Sequence, residues 1–152
     1  MAHYFAYCTL LDRDEMGRFC PTAKAGETGI VTGWRVTFAA HNLGGSNGGC
    51  HLVEAEDHTI YGLLYELDDE TLTKLDSISG VGQGMYQQIP VQVTTESGQT
   101  IDAITYLIPE PRGDFQPSAA YVRPILKGAA DCNLPEPYQA ELTDLVNRSV
   151  AR

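Results

Sequence analysis

Apolar and polar positions change their period several times along the 152-residue chain, and each change marks an element. Met1 to Thr9 contains His3-Tyr4-Phe5-Ala6-Tyr7, short and aromatic, which predicts a buried strand that turns at Cys8-Thr9. Leu10 to Met16 has room for a short helix, and Gly29 to Ala40 mixes β-branched and aromatic residues around Gly33 as strands do. Cys50 to Glu54 and Thr59 to Leu67 read as two strands joined in a hairpin by polar Glu56-Asp57-His58. The second of them is apolar on both faces and therefore central. Asp68 or Asp69 caps a helix whose Leu72, Leu75 and Ile78 form one packing stripe ending before Gly80, where a glycine-rich turn runs to Gly84.

Ile89, Val91 and Val93 then alternate with Gln88, Gln92 and Thr94 as in a half-buried strand, and Pro90 puts that strand near an edge or bulge. Ser97-Gly98 turns the chain, and Ile101 to Ile108 returns antiparallel. The breaker cluster Pro109-Glu110-Pro111-Arg112-Gly113-Asp114 separates this strand-rich part from a helical tail. Ser118 to Ala130 is expected to be a helix kinked or interrupted by Pro124. Tyr138, Leu142, Leu145 and Val146 mark an amphipathic helix beyond Pro135 and Pro137. The sum is an α+β fold: a mostly antiparallel sheet curled into a small barrel, with helices outside, in a single domain over 1–152.

With 43% hydrophobic and 20% charged residues the chain can bury a core without disulfide staples. Its net charge of −10 opposes a phosphate backbone and argues against a nucleic-acid partner. No signal-peptide pattern opens the chain, and its longest apolar run, around Ile60 to Leu67, already holds Gly62 and Glu66; a soluble, cytoplasmic protein without membrane contact is expected. Cys8, Cys20, Cys50 and Cys132 form no C-x-x-C pair, so a metal site is not expected, the thiols are expected to stay reduced, and Cys20 and Cys132 read as core residues. Gly44-Gly45-Ser46-Asn47-Gly48-Gly49 reads as a plain loop without a phosphate role. No cofactor motif is present, so no cofactor is expected.

The opening Tyr4-Phe5-Ala6-Tyr7-Cys8-Thr9-Leu10-Leu11 resembles the first strand and loop of the γ-glutamyl cyclotransferases and their plant avirulence-induced relatives, which run Tyr-Gly-Ser-Asn-Leu or Tyr-Gly-Thr-Leu. Further blocks follow in that superfamily's order: Asn47-Gly48-Gly49-Cys50-His51-Leu52-Val53, Ile60-Tyr61-Gly62-Leu63-Leu64-Tyr65, Leu75-Asp76-Ser77-Ile78-Ser79-Gly80-Val81 and Gly84-Met85-Tyr86. The resemblance implies that backbone N–H groups of the loop Tyr7, Cys8, Thr9 and Leu10 cradle a substrate's γ-glutamyl end, and that Tyr86, Tyr106 and Tyr121 line or close the pocket. It also implies a reaction in which a glutamate takes a proton from the α-amino group, which attacks the γ-carbonyl, closes 5-oxoproline and releases an amine.

Ser79 stands at that glutamate's position, and a hydroxyl is no base near neutral pH unless another group removes its proton. Cys8 replaces the family's glycine, which removes the freedom of a positive φ and adds a thiol. The catalytic candidates are therefore Ser79, Cys8 and His51, with Cys8 and His51 as a nucleophile and base pair, and Ser79, His51 and Asp76 as a weaker relay. Glu54 or Asp76 could supply the lost carboxylate from another direction, although Asp76 reads better as bracing the neighbouring turn. The expectation is an enzyme acting on a small polar metabolite by altered chemistry. The alternatives are an inactive metabolite- or protein-binding member, and a γ-glutamylamine cyclotransferase with a relocated base. The expected partner is a small-molecule substrate, and a homodimer stays open.

Overall fold

The computed structural model describes residues 1–41 and 47–150. Five strands, β1 (Ala2–Ala6), β2 (Lys24–Ala40), β3 (Gly48–Leu67), β4 (Gln87–Thr95) and β5 (Thr100–Leu107), form a closed barrel in the order β1-β3-β2-β4-β5. Every neighbouring pair is antiparallel except β1 and β5, which meet in parallel where Tyr4 faces Ile104 and so close the barrel. Among the described residues there are four α-helices: α1 (Arg13–Phe19), α2 (Asp69–Ile78), α3 (Ala119–Asp131) and α4 (Glu136–Ser149). The expected α+β barrel with helices is the fold observed.

β3 is the central strand, paired to β1 along one edge and to β2 along the other. Its run from Ile60 to Leu67 is buried at nearly every position, as its apolar pattern requires. The expected hairpin over Glu56-Asp57-His58 does not exist. Trp34 faces Glu54 and Thr32 faces Thr59, so residues 55–58 of β3 stand opposite Gly33 alone. The polar residues form a wide irregularity within one strand rather than a reversal, because the segments on both sides pair with the same β2. Gly33 takes the left-handed φ of +91° that this mismatch needs.

Two further expectations change. The short helix foreseen over Leu10 to Met16 is split into a 3-10 turn, Thr9–Leu11, and α1. Asp12 separates them because its carboxylate accepts the Asp14 N–H at 3.1 Å and caps α1. α3 runs through Pro124 without interruption. The missing N–H frees the Ala120 carbonyl, and Ala120 is exposed, so water can satisfy it. Pro90 stands opposite Ile104 of β5, whereas β4 meets β2 only at Thr94 and Thr95; the missing donor therefore faces no strand. The loop expected over 44–49 lies in part outside the described residues, and its Gly48 and Gly49 already belong to β3.

Ser118 caps α3 by accepting the Tyr121 N–H at 3.1 Å, and Asp68 caps α2 by accepting the Thr71 N–H at 2.7 Å. Tyr138, Leu142, Leu145 and Val146 of α4 are all buried as one stripe. The α2 stripe is less uniform: Leu75 is fully buried, Leu72 partly, and Ile78 is 43% exposed. No helix among the described residues is long and apolar enough to cross a membrane.

Candidate functional site

The strand β1 delivers Tyr7 to the end of the barrel, and the 3-10 turn after it folds Cys8, Thr9 and Leu10 across the opening. The N–H groups of Leu11 and Asp12 donate to the carbonyls of Cys8 (3.1 Å) and Thr9 (3.2 Å). A turn of this kind leaves the amides at its own start without an internal partner. Beside it lies a cavity of about 240 Å³ whose wall includes all four residues from Tyr7 to Leu10, together with Ser79 from the end of α2 and Tyr86, Tyr106 and Tyr121. Residues separated by more than a hundred positions thus share one concavity. Tyr4, Phe19, Cys50 and Ile78 complete its wall, and no Asp, Glu, Lys, Arg or His stands among the described lining residues.

The tyrosines are pocket residues whose hydroxyls are also satisfied. Tyr86 Oη donates to the Cys50 carbonyl at 2.8 Å, and Tyr121 Oη accepts the Cys50 N–H at 3.0 Å. Both reach the β3 backbone through Gly49, where an added Cβ would lie 2.7 Å from Tyr121 Oη. Tyr7 Oη donates to the Tyr106 carbonyl at 2.6 Å, and Tyr65 Oη fixes the loop from behind by donating to the Leu10 carbonyl at 2.7 Å. Burial raises the pKa of Tyr7, Tyr86 and Tyr121. Tyr106 is raised by burial and then by the hydrogen bond it donates to Asp76. At neutral pH the phenols are donors, not bases.

Several expected arrangements are corrected. Cys8 is disulfide-bonded to Cys50, with 6.3 Å between their Cα atoms, whereas reduced thiols were expected. The end of β1 pairs with Leu63 in the second half of β3, yet Cys8 just beyond it meets Cys50 near that strand's start, a proximity no local spacing reveals. Cys8 has φ −126°, so this position does not use the positive φ that a glycine would supply. The Cys8 and His51 pair is not formed. Successive residues of a strand point to opposite faces, so Cys50 in the cavity wall turns its neighbour His51 away from it. His51 is buried elsewhere, its Nδ1 accepting the Ile108 N–H at 3.0 Å, and burial lowers its pKa. The relay of Ser79, His51 and Asp76 fails for the same reason.

Glu54 is exposed opposite Trp34 and does not line the cavity. Asp76 is not in the wall either, but it stands directly behind it: its Oδ1 accepts Tyr106 Oη at 2.5 Å and Gln88 Nε2 at 3.0 Å. Asp76 therefore braces β4 and β5 against α2 rather than a local turn. Sequence reading omitted Cys50, although it sits in one of the motif blocks and its alternation with His51 signals which of the two faces inward. Phe19 and Ile78 were also omitted: Phe19 lies beyond the helix expected over Leu10 to Met16, and Ile78 was read as part of the packing stripe of the helix before Gly80. Of the two free cysteines, Cys20 is buried and Cys132 half-buried.

A family model described as the AIG2-like family matches residues 59–142. The gamma-glutamylcyclotransferase of Homo sapiens is 34% identical over 83 residues, covering 55% of this chain and 44% of the human protein. That of Bos taurus is 30% identical over 94 residues, covering 62% of this chain and 50% of the bovine one. The chain thus spans about half the length of these curated relatives. A solved gamma-glutamyl cyclotransferase superposes with a TM-score of 0.88 at 26% identity over 93% of this chain and 86% of that one.

Proposed function

The chain belongs to the AIG2-like family, and from that premise we propose that it is an enzyme of γ-glutamyl cyclotransferase type. It takes a small polar metabolite, a γ-glutamyl compound, into the Cys8–Cys50 cavity and acts on it by chemistry altered from the 5-oxoproline-forming reaction. One observation carries this reading: the loop Tyr7 to Leu10, Ser79 and the tyrosines Tyr86, Tyr106 and Tyr121 share one wall that contains no carboxylate among its described residues. The loop amides suit the carboxylate of a γ-glutamyl group, and Tyr121, whose Oη accepts the Cys50 N–H and so keeps its own O–H to donate, suits a carbonyl that gains negative charge. The α-ammonium group, which must lose a proton before it can attack, meets Ser79 where a carboxylate would serve.

A second reading has its own support. Tyr106 is in the wall and holds Asp76 behind it, so Asp76 is the carboxylate nearest the cavity by hydrogen-bond connection. In this reading Tyr106 Oη passes its proton to Asp76 as it receives one from the substrate ammonium; the freed amine attacks the γ-carbonyl and closes the ring, and the leaving amine departs with the proton returned from Asp76 through Tyr106 and the one the attacking nitrogen sheds.

The test is incubation of the purified protein with γ-glutamyl dipeptides and γ-glutamylamines, with substrate loss and products followed by mass spectrometry. Altered chemistry predicts consumption of a γ-glutamyl compound with little or no 5-oxoproline. Robust 5-oxoproline release abolished by Asp76→Asn favours the second reading, and release that survives Asp76→Asn refutes both assignments. A folded protein that neither binds nor consumes any γ-glutamyl compound removes the premise.

A further inference from the structure

The disulfide between Cys8 and Cys50 lies in the wall of the candidate cavity, and its two ends are held very differently. Cys50 is 2% exposed and sits within β3, opposite Phe38 of β2. Its N–H donates to Tyr121 Oη at 3.0 Å, and its carbonyl accepts from Tyr86 Oη at 2.8 Å. Cys8 is half-buried at the start of the 3-10 turn, where its side chain makes no capping hydrogen bond. Behind it the turn is anchored through the Leu10 carbonyl, held by Tyr65 Oη, and the Asp12 carboxylate, held by Lys127 Nζ. On the cavity side the crosslink ties the turn to the barrel, with Tyr121 Oη 3.7 Å from Cys8 Sγ.

This asymmetry decides what reduction does. A disulfide bond is about 2 Å long, whereas two thiol sulfurs in contact stand roughly 3.5–4 Å apart, so cleavage separates them by about 1.5 Å or more. Cys50 is pinned by its strand and by two tyrosines, so Cys8 makes the movement and takes with it the loop that lines the cavity. No cationic side chain stands among the described lining residues to hold a thiolate, so the reduced pair is two ordinary thiols.

We propose that the Cys8–Cys50 crosslink is a redox latch on the loop from Tyr7 to Leu10: oxidised, it holds the loop amides in place for a ligand, and reduced by a dithiol it releases them and weakens binding. One thiolate of the dithiol attacks the sulfur of Cys8, the more exposed of the two residues. The S–S bond breaks, and Cys50 leaves as a thiolate that takes up a proton. The second reductant thiol, deprotonated, then attacks the first reductant sulfur and expels Cys8, which is protonated in turn. The dithiol becomes a disulfide, and its two electrons and two protons reside on Cys8 and Cys50. Release of the loop rests on the crosslink alone, whereas the effect on a ligand rests on the function proposed above.

The full chain, crosslinked and then reduced with dithiothreitol, is compared by hydrogen–deuterium exchange mass spectrometry and by isothermal titration with γ-glutamylglycine and γ-glutamylmethylamide. Reduction should speed exchange of the amides from Cys8 to Asp12 by about fivefold or more, leave α4 within about twofold, and reverse on reoxidation. The reduced chain should bind the γ-glutamyl probes about fivefold or more weakly, because the ligand must then order the loop itself. Cys8→Ser with Cys50→Ser should match the reduced protein and no longer respond to dithiothreitol. Loop exchange that reduction leaves unchanged, probe affinities within about twofold in the two states, or a crosslink that does not form overturns the latch. Acceleration spread over the whole chain also overturns it, because the crosslink is then a staple of the fold. Faster exchange confined to the loop, with neither probe bound in either state, upholds the release and removes the γ-glutamyl assignment.

Discussion

Ser79 lies half-buried at the C-terminal cap of α2 and lines the cavity beside the loop from Tyr7 to Leu10. In the function proposed above, a carboxylate there would stand beside the substrate's ammonium group. Ser79→Glu is therefore expected to bring measurable 5-oxoproline release from γ-glutamylamines. General-base catalysis contributes about two to four orders of magnitude when well placed, so even imperfect geometry should exceed background by roughly tenfold. A folded Ser79→Glu protein that binds γ-glutamyl ligands yet stays at background would mean that a base is not what the cavity lacks. The cysteines provide a second residue-scale outcome. Denatured without reductant, the protein should expose only the thiols of Cys20 and Cys132 to a thiol reagent, and all four after reduction. The crosslink closes a separation of 42 residues, so Cys8→Ser with Cys50→Ser should cost roughly 2–4 kcal/mol in chemical denaturation.

The cavity depends on how elements dock as well as on its side chains. α3 lies against the 3-10 turn through Gly128, where an added Cβ would come within 2.5 Å of the Asp12 backbone nitrogen. Lys127, one residue earlier, reaches the capping carboxylate of Asp12 at 2.9 Å and Asp14 at 3.2 Å. Helix and turn are thus held both by close backbone approach and by an ion pair. Gly128→Ala gains helix propensity but must push the turn away. The expected net loss is about 1–3 kcal/mol in urea denaturation, with weakened ligand binding, because the displaced turn carries Thr9 and Leu10. Gly17→Ala, where no atom lies within 4 Å of the added Cβ, is the control and should not destabilise the protein.

Over the whole molecule, buried histidines set a pH limit. His51 packs with Nδ1 accepting a backbone N–H, which requires the neutral ring, and burial lowers the pKa of both His51 and His41 below the ordinary 6.5. At about a unit or more above pH 6.5 folded and unfolded chains bind equal numbers of protons at these sites. As pH falls below that value the unfolded chain takes up protons that the folded chain refuses, so stability declines toward the lowered folded pKa. Urea denaturation at pH 7.5 and at pH 5.5 should show lower stability at the acid value, and His51→Gln should make the difference smaller. An unchanged difference in that variant would exclude His51 as a contributor.

Period-two and helical patterns in the sequence determined the local structure: the alternating strand around Val91 and Val93, the single buried stripe of α4, and the antiparallel return after Gly98. Each is dictated by contacts among residues near in the chain, or by the need of one face to leave water. The family resemblance likewise implied that the loop Tyr7 to Leu10 and the tyrosines Tyr86, Tyr106 and Tyr121 share a pocket, and with Ser79 they line one cavity. Tertiary structure alone decided which chemistry those residues share. The tertiary fold joined Cys8 to Cys50, and strand alternation then turned His51 away from the cavity, so a thiol and base pair suggested by residue type became a crosslink and a buried hydrogen-bond acceptor. Asp76 became the partner of Tyr106, not a turn brace, because the Tyr106 side chain reaches from β5 to α2. Phe19 and Ile78 met in one cavity wall because two helices end together. Such approaches depend on the whole set of strand registers, and no window of the sequence carries that information.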